Sequence, residues 1–236
     1  MENQGFLPPT FTVDDYRTRT ESLGITGGTV IAGSFQGTQT EYMFDALEKL
    51  GPKFVGVIQV PATVTDAELL RLNAAGVRAV RFNLYRGGSA GIQDLDRLTR
   101  RVHDLAGWHA EFYVDMSAAE PIFDTLANLP KLSIDHLGMT QDGLPWLLKL
   151  AERGAKVKAT GFGRTEVDVT SALRDLASAN PDCLMFGTDL PSQRARRPFM
   201  RSDIDLVRQT LGEPLARKAF RDNALAFYRP RELPSI

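Results

Sequence analysis

Two short segments carry the residue types that could do chemistry. Phe186-Gly187-Thr188-Asp189-Leu190-Pro191 and Ile134-Asp135-His136-Leu137-Gly138 are each an apolar run that ends in an acid or an imidazole and then breaks on Gly or Pro. A carboxylate at such a strand end can accept a proton from water. A neutral imidazole there can donate to a developing oxyanion. The plainer alternatives are a helix cap for Asp189 and a buried, hydrogen-bonded structural role for His136. In a barrel of parallel strands the carboxyl-terminal strand ends converge on one mouth, so residues distant in sequence can share a substrate. The pair suggests hydrolysis.

Two arginines extend the idea to an anionic substrate. Arg81 lies mid-strand between Val80 and Phe82, and a buried guanidinium demands a carboxylate from the protein or from a ligand. Arg164 follows Gly161-Phe162-Gly163 in a loop. A structural salt bridge accounts for either arginine as well. Ser34, Gln59, Asn83, Tyr113 and Asp115 fall at or near strand ends, where they could line a pocket. Lys158 is a catalytic amine if desolvated, or one half of an ion pair. Read as a phosphate grip, Gly161-Phe162-Gly163 lacks a further Gly-rich turn after the last strand.

A metal centre is not expected. The chain has three histidines, His103, His109 and His136, and no His-x-His pair. Catalytic zinc takes three protein ligands; His136 and Asp189 supply two, with Asp115 or Asp135 as candidate thirds. His109 starts its strand and reads as structural, while His103 lies on a charged helix and reads as solvated. No cofactor is expected either.

The elements that must position these residues alternate as strand, loop and helix. Strand-like runs are 29–32, 54–60, 77–84, 109–114, 132–134, 155–159 and 183–186, most of them rich in Val, Ile or Phe, as in strands covered on both faces. Thr65 with Glu68 and Ser117 with Glu120 read as capping boxes. Gly24, Gly51, Gly76, Gly107 and Gly154 follow helical runs, where a left-handed residue is wanted. Recurrence about every 25 residues predicts right-handed βαβ units and a parallel sheet in a single domain over 1–236. The runs number seven, where a closed barrel has eight. Thr12 and Asp15 open the first helix, and Pro8-Pro9 before it cannot form an interior strand, so the missing strand is the first.

Composition excludes several classes. The 28 basic and 29 acidic residues nearly cancel, which gives no case for nucleic acid. The basic cluster Arg194-Ala195-Arg196-Arg197 reads as a solvated loop or an anion clamp. Lone Cys183, in an apolar strand, rules out an internal disulfide and reads as an inert core thiol. No apolar run approaches the ~20 residues of a membrane span, and the first residues do not resemble a signal peptide. A cytoplasmic protein is expected.

Together and in order, a set of motifs resembles the amidohydrolase-related family of metal-dependent and metal-independent hydrolases. They are Phe11-Thr12-Val13-Asp14-Asp15-Tyr16, Leu50-Gly51-Pro52-Lys53-Phe54, Gly76-Val77-Arg78-Ala79-Val80-Arg81-Phe82-Asn83, Gly107-Trp108-His109, Ile134-Asp135-His136-Leu137-Gly138, Val157-Lys158-Ala159-Thr160-Gly161, Phe186-Gly187-Thr188-Asp189 and Asp222-Asn223-Ala224-Leu225. The likeness is greatest to the branch of 2-pyrone-4,6-dicarboxylate lactonase and related sugar and sulfo-lactone hydrolases. It implies a distorted (β/α)8 barrel, TIM-like, that hydrolyses a small anionic lactone or ester. It also implies Asp189 as base toward water, His136 holding the carbonyl or a metal, and Arg81 and Arg164 clamping substrate carboxylates.

The family's His-x-His pair on the first strand is missing here. Two accounts compete: an amino-terminally shortened active enzyme, or a homologue that has lost the chemistry and binds a small carboxylic acid. Without that strand two sheet edges need covering. Residues 1–11 or a second subunit would do so, and a homodimer is the favoured expectation.

Overall fold

A computed structural model describes residues 5–231. Residues 1–4, on which the reading of the chain start and part of the gap-covering segment fall, lie outside the described residues. The first helix, Val13–Thr20, starts at Thr12 as expected. The Thr12 hydroxyl accepts from the Asp15 amide at 3.2 Å, and Asp15 Oδ2 accepts from the Thr12 amide at 2.7 Å. This reciprocal pair satisfies amides that the first helical turn leaves open. Among the described residues no strand precedes that helix.

The chain divides into two compact units, Met1–Glu111 with Tyr228–Ile236, and Phe112–Phe227. In the first, strands β1 (Gly28–Ile31), β2 (Phe54–Ile58), β3 (Val77–Asn83) and the opening residues of β4 (His109–Tyr113) lie side by side in chain order. β1 pairs parallel to β2 with Gly28 opposite Phe54, and β2 pairs parallel to β3 with a register shift between Gly56 and Val57. Gly56 permits close packing there: a Cβ would lie 2.9 Å from Met43 Sδ and 3.1 Å from Val77 Cγ2. The helix Glu41–Leu50 thus packs its buried Met43 and Leu47 directly on the strand. Trp108, fully buried, donates its indole N–H to Asn73 Oδ1 at 3.0 Å, which satisfies the one polar atom of a large apolar side chain.

In the second unit β5 (Leu132–Ile134), β6 (Lys156–Ala159) and β7 (Leu184–Phe186) are parallel and again in chain order. The helix Val169–Ala179 between β6 and β7 buries Ala172, Leu173, Leu176 and Ala177. These positions form one apolar stripe at helical period. Its N-cap is Asp168, which accepts from the Ser171 amide at 3.0 Å. All seven strand-like runs of the sequence are strands, to within a few residues at their ends. No helix of the described residues is long and apolar enough to cross a membrane.

Two local expectations are corrected. The turn Met116–Ala118 is capped by Asp115, which accepts from the Ser117 amide at 3.0 Å, so Ser117 and Glu120 form no capping box. The Ser117 hydroxyl donates to the same Asp115 oxygen at 2.8 Å, so Asp115 takes both groups that a box with Glu120 would use. His103 is half-buried, and its Nδ1 lies 3.1 Å from the Trp108 carbonyl oxygen. The Gly107 turn folds that carbonyl back onto the helix end.

Cys183 is buried, and burial pushes its thiol up to about 12. Thiolate is the reactive form. Cys183 is therefore expected to resist Ellman's reagent at pH 8 in the native protein and to react fully in guanidinium chloride. Rapid native labelling would show that the Cys183 strand opens readily.

Candidate active site

The second unit presents its candidate side chains where strands end and the backbone turns sharply. His136 follows β5 and has φ 51°, and the next three residues, Leu137, Gly138 and Met139, also have positive φ. Asp189, three residues beyond β7, has φ 54°. Non-glycine residues adopt this left-handed region at a cost of about 1–3 kcal/mol each and cluster where side chains must be aimed. Arg164 sits on a turn after β6 that Gly161, with φ 61°, begins; its amide donates to the Gly161 carbonyl at 2.7 Å.

These turns bring three of the expected residues into one cluster. His136 Nε2 lies 4.0 Å from Asp189 Oδ1, and Arg164 Nε donates to Asp189 Oδ2 at 2.7 Å. The first separation is too long for a direct hydrogen bond, and a single oxygen atom can reach both groups. The second is a charge-assisted bond that holds one Asp189 oxygen and turns the other toward the imidazole. Beyond Nε, the Arg164 guanidinium hydrogen-bonds to none of the described residues.

His136 is held from two further sides. Its Nδ1 lies 2.8 Å from Thr160 Oγ1, and Tyr113 meets the imidazole edge to face with centroids 5.0 Å apart. The Thr160 hydroxyl is able to donate to Nδ1 or to accept from it; in the tautomer in which it donates, Nε2 carries the ring proton and faces Asp189. Gly161 is what lets the chain pass here: a Cβ would lie 2.7 Å from His136 Nδ1 and 3.1 Å from Asp189 Oδ2.

Beside this cluster, Lys158 Nζ lies 3.3 Å from Asp135 Oδ1, both side chains buried. Lys158 is thus an ion-paired lysine. Asp115, the other candidate metal ligand, caps its turn and also accepts from the Thr140 hydroxyl at 2.6 Å. Among the described residues, no group of three His, Cys, Asp or Glu side chains could hold a metal ion. His136 and Asp189 offer two donors with one carboxylate oxygen already bound to Arg164, which does not fit the three-ligand set of a catalytic zinc.

Arg81 and Ser34 belong to the first unit. Arg81 is buried and its Nη1 meets Glu111 Oε1 at 2.5 Å, while the Tyr228 hydroxyl donates to Glu111 Oε2 at 3.1 Å. The carboxylate that a buried arginine demands thus comes from the protein itself. Ser34 is buried at the start of the turn Ser34–Gln36, its backbone oxygen 2.5 Å from where a Gly88 Cβ would stand. Gln59 braces the same turn through Nε2, which donates to the Gly33 and Gly37 carbonyls at 3.2 and 2.8 Å.

Sequence reading missed Glu111 and Thr160. Glu111 had a usable signal, an acid inside an apolar strand that must find a cation. Thr160 had none, because its pairing with His136 depends on the neighbouring strand's register. Within the basic loop, Arg196 pairs with Glu166 and Arg197 with Asp203.

A family profile described as Amidohydrolase matches residues 1–229. The chain is 28% identical over 208 residues to the 4-sulfomuconolactone hydrolase of Rhizobium radiobacter, covering 80% of this chain and 69% of that protein. It is 26% identical over 244 residues to a 2-pyrone-4,6-dicarboxylate hydrolase of Comamonas testosteroni, covering 90% and 79%. In structure it resembles a probable 2-pyrone-4,6-dicarboxylic acid hydrolase of Acinetobacter baumannii crystallised with citric acid bound, with a TM-score of 0.83, 21% identity and coverage of 97% and 93%.

Proposed function

This chain belongs to the amidohydrolase family, and from that premise we propose that it is a hydrolase of a small anionic lactone or ester, acting through His136, Asp189 and Arg164 without a metal. The relatives named above support the substrate class, since a 2-pyrone and a muconolactone are both cyclic esters. The observation that carries the site is His136 Nε2 facing Asp189 Oδ1 across 4.0 Å, with both residues at positive φ on strand ends.

In this reading Asp189 Oδ1 takes a proton from the attacking water as the water oxygen bonds to the carbonyl carbon. His136 Nε2–H donates to the carbonyl oxygen as it gains negative charge, in the tautomer in which Thr160 donates to Nδ1. Collapse of the tetrahedral species breaks the ring C–O bond, and the leaving alkoxide recovers the proton from Asp189. The product is a hydroxy acid. Arg164 orients the base through Nε and binds a substrate carboxylate through its terminal nitrogens, as its fork geometry allows.

The test is turnover of an anionic lactone at neutral pH by the purified protein, followed by proton release. Tight binding of the lactone with no release would instead support a non-catalytic barrel that binds a small acid. Arg164→Met separates binding from scaffold. Losing hydrogen bonds to a charged group costs about 1.5–3 kcal/mol. Dicarboxylate affinity in calorimetry is therefore expected to fall by roughly 10- to 150-fold. Unchanged affinity would confine Arg164 to orienting Asp189.

A further inference from the structure

We infer that Lys158 and Asp135 are positioning residues, a buried ion pair that keeps His136 aimed at Asp189; the catalytic consequence rests on the hydrolytic reading above. The register of β5 on β6 sets Ser133 opposite Lys156 and Ile134 opposite Val157. One step further along, it brings Asp135 beside Lys158. There Lys158 Nζ lies 3.3 Å from Asp135 Oδ1, with the side chains 6% and 2% exposed. Water hardly reaches either charge, so each depends on the other.

Asp135 is where the backbone leaves the strand. Its amide donates to the Phe112 carbonyl at 2.9 Å, and its own carbonyl accepts from the Gly138 amide at 3.0 Å. In a continuing strand the next side chain would point to the opposite face. His136 instead has φ 51°, and its Nδ1 lies 2.8 Å from Thr160 Oγ1. Two consecutive residues, Asp135 and His136, are thus held by Lys158 and Thr160, which stand two apart on the neighbouring segment.

Side chains other than glycine persist at positive φ only where the surrounding structure over-determines them. His136, Leu137 and Met139 all do so, in a turn that Asp135 opens. The ion pair anchors that first residue through its side chain, as the Phe112 and Gly138 bonds anchor it through the backbone. What the anchor protects is the 4.0 Å between His136 Nε2 and Asp189 Oδ1. Misplacing a reacting group by about 1 Å costs on the order of 10²-fold in rate. Lys158 and Asp135 therefore act through His136 and not on the substrate.

The experiment separates positioning from stability with the double variant Lys158→Met/Asp135→Leu. Apolar replacement of a buried ion pair is often neutral, so its melting temperature is expected within about 4 °C of the wild type. Its kcat for γ-butyrolactone carboxylate is nevertheless expected to fall by about 10- to 100-fold, with KM changed less than about two-fold. NMR reads the same positioning without turnover. A nuclear Overhauser contact between the Tyr113 ring and the His136 imidazole, whose centroids stand 5.0 Å apart, is expected in the wild type and is expected to be lost in the double variant. A folded double variant that keeps both the contact and the wild-type kcat overturns the inference and leaves the pair to the scaffold. Should the double variant fail to fold, Asp135→Asn decides in its place: it keeps the side chain's shape but removes the charge that grips Lys158, and an unchanged contact there overturns the inference equally. If the wild type hydrolyses no lactone but the contact is lost in the variant, the positioning pair stands and the hydrolytic reading fails. Turnover that survives with the contact intact leaves hydrolysis and removes the pair.

Discussion

Asp189→Asn is expected to lower kcat for an anionic lactone by roughly 10²- to 10⁴-fold, the contribution of a well-placed general base. The substitution keeps the size of the side chain and leaves an amide oxygen able to accept from Arg164 Nε, which now bonds Oδ2 at 2.7 Å. Dicarboxylate affinity is therefore expected to change far less than kcat. That split is informative, because loss of an interaction used only in the transition state lowers kcat without a matching change in ground-state binding. Steady-state kinetics and calorimetry on the same preparation measure both. A variant retaining more than about a third of wild-type kcat would remove Asp189 from the proton-transfer step, and the mechanism with it.

Glu111→Leu is expected to destabilise the fold by about 3–5 kcal/mol, because it takes the carboxylate from the buried Arg81 and leaves a charge in a low-dielectric setting. Glu111 is fully buried and Arg81 is 6% exposed, so water compensates little. For a chain of this size the melting temperature should drop by roughly 6–20 °C. The double variant Arg81→Met/Glu111→Leu is expected to recover most of that loss, since well-packed apolar replacements of buried ion pairs are often neutral. Thermal melts of the two variants test the pair. If Glu111→Leu melts with the wild type while Arg81→Met loses dicarboxylate binding, Arg81 is a ligand residue and its pairing with Glu111 is incidental.

The arginines show where sequence reasoning ends. A guanidinium flanked by Val80 and Phe82 announces that a carboxylate must be near. It cannot announce whether the protein or the substrate supplies it. That depends on Glu111 occupying the next strand at a matching height, a matter of strand register. Arg164 carries the same ambiguity: its Nε goes to Asp189, a partner of which the sequence carried no sign.

Periodicity, glycines and caps were sufficient to determine the parallel α/β organisation. The seven runs are strands, the glycines that close helices hold positive φ, and Thr12 with Asp15 opens the first helix. These are local properties, dictated by backbone sterics and by which face of each element is apolar, so a single sequence carries them. The motifs also singled out His136 and Asp189, because each is a polar residue that follows an apolar strand just before a Gly or Pro break, and Arg164, because it follows the glycines of the loop after β6. Only the tertiary structure decided that Arg164 holds Asp189 and that Thr160 holds His136. Each of those contacts joins residues more than ten positions apart. Their distances follow from strand register and from the left-handed turns at His136 and Asp189, which local propensity does not encode.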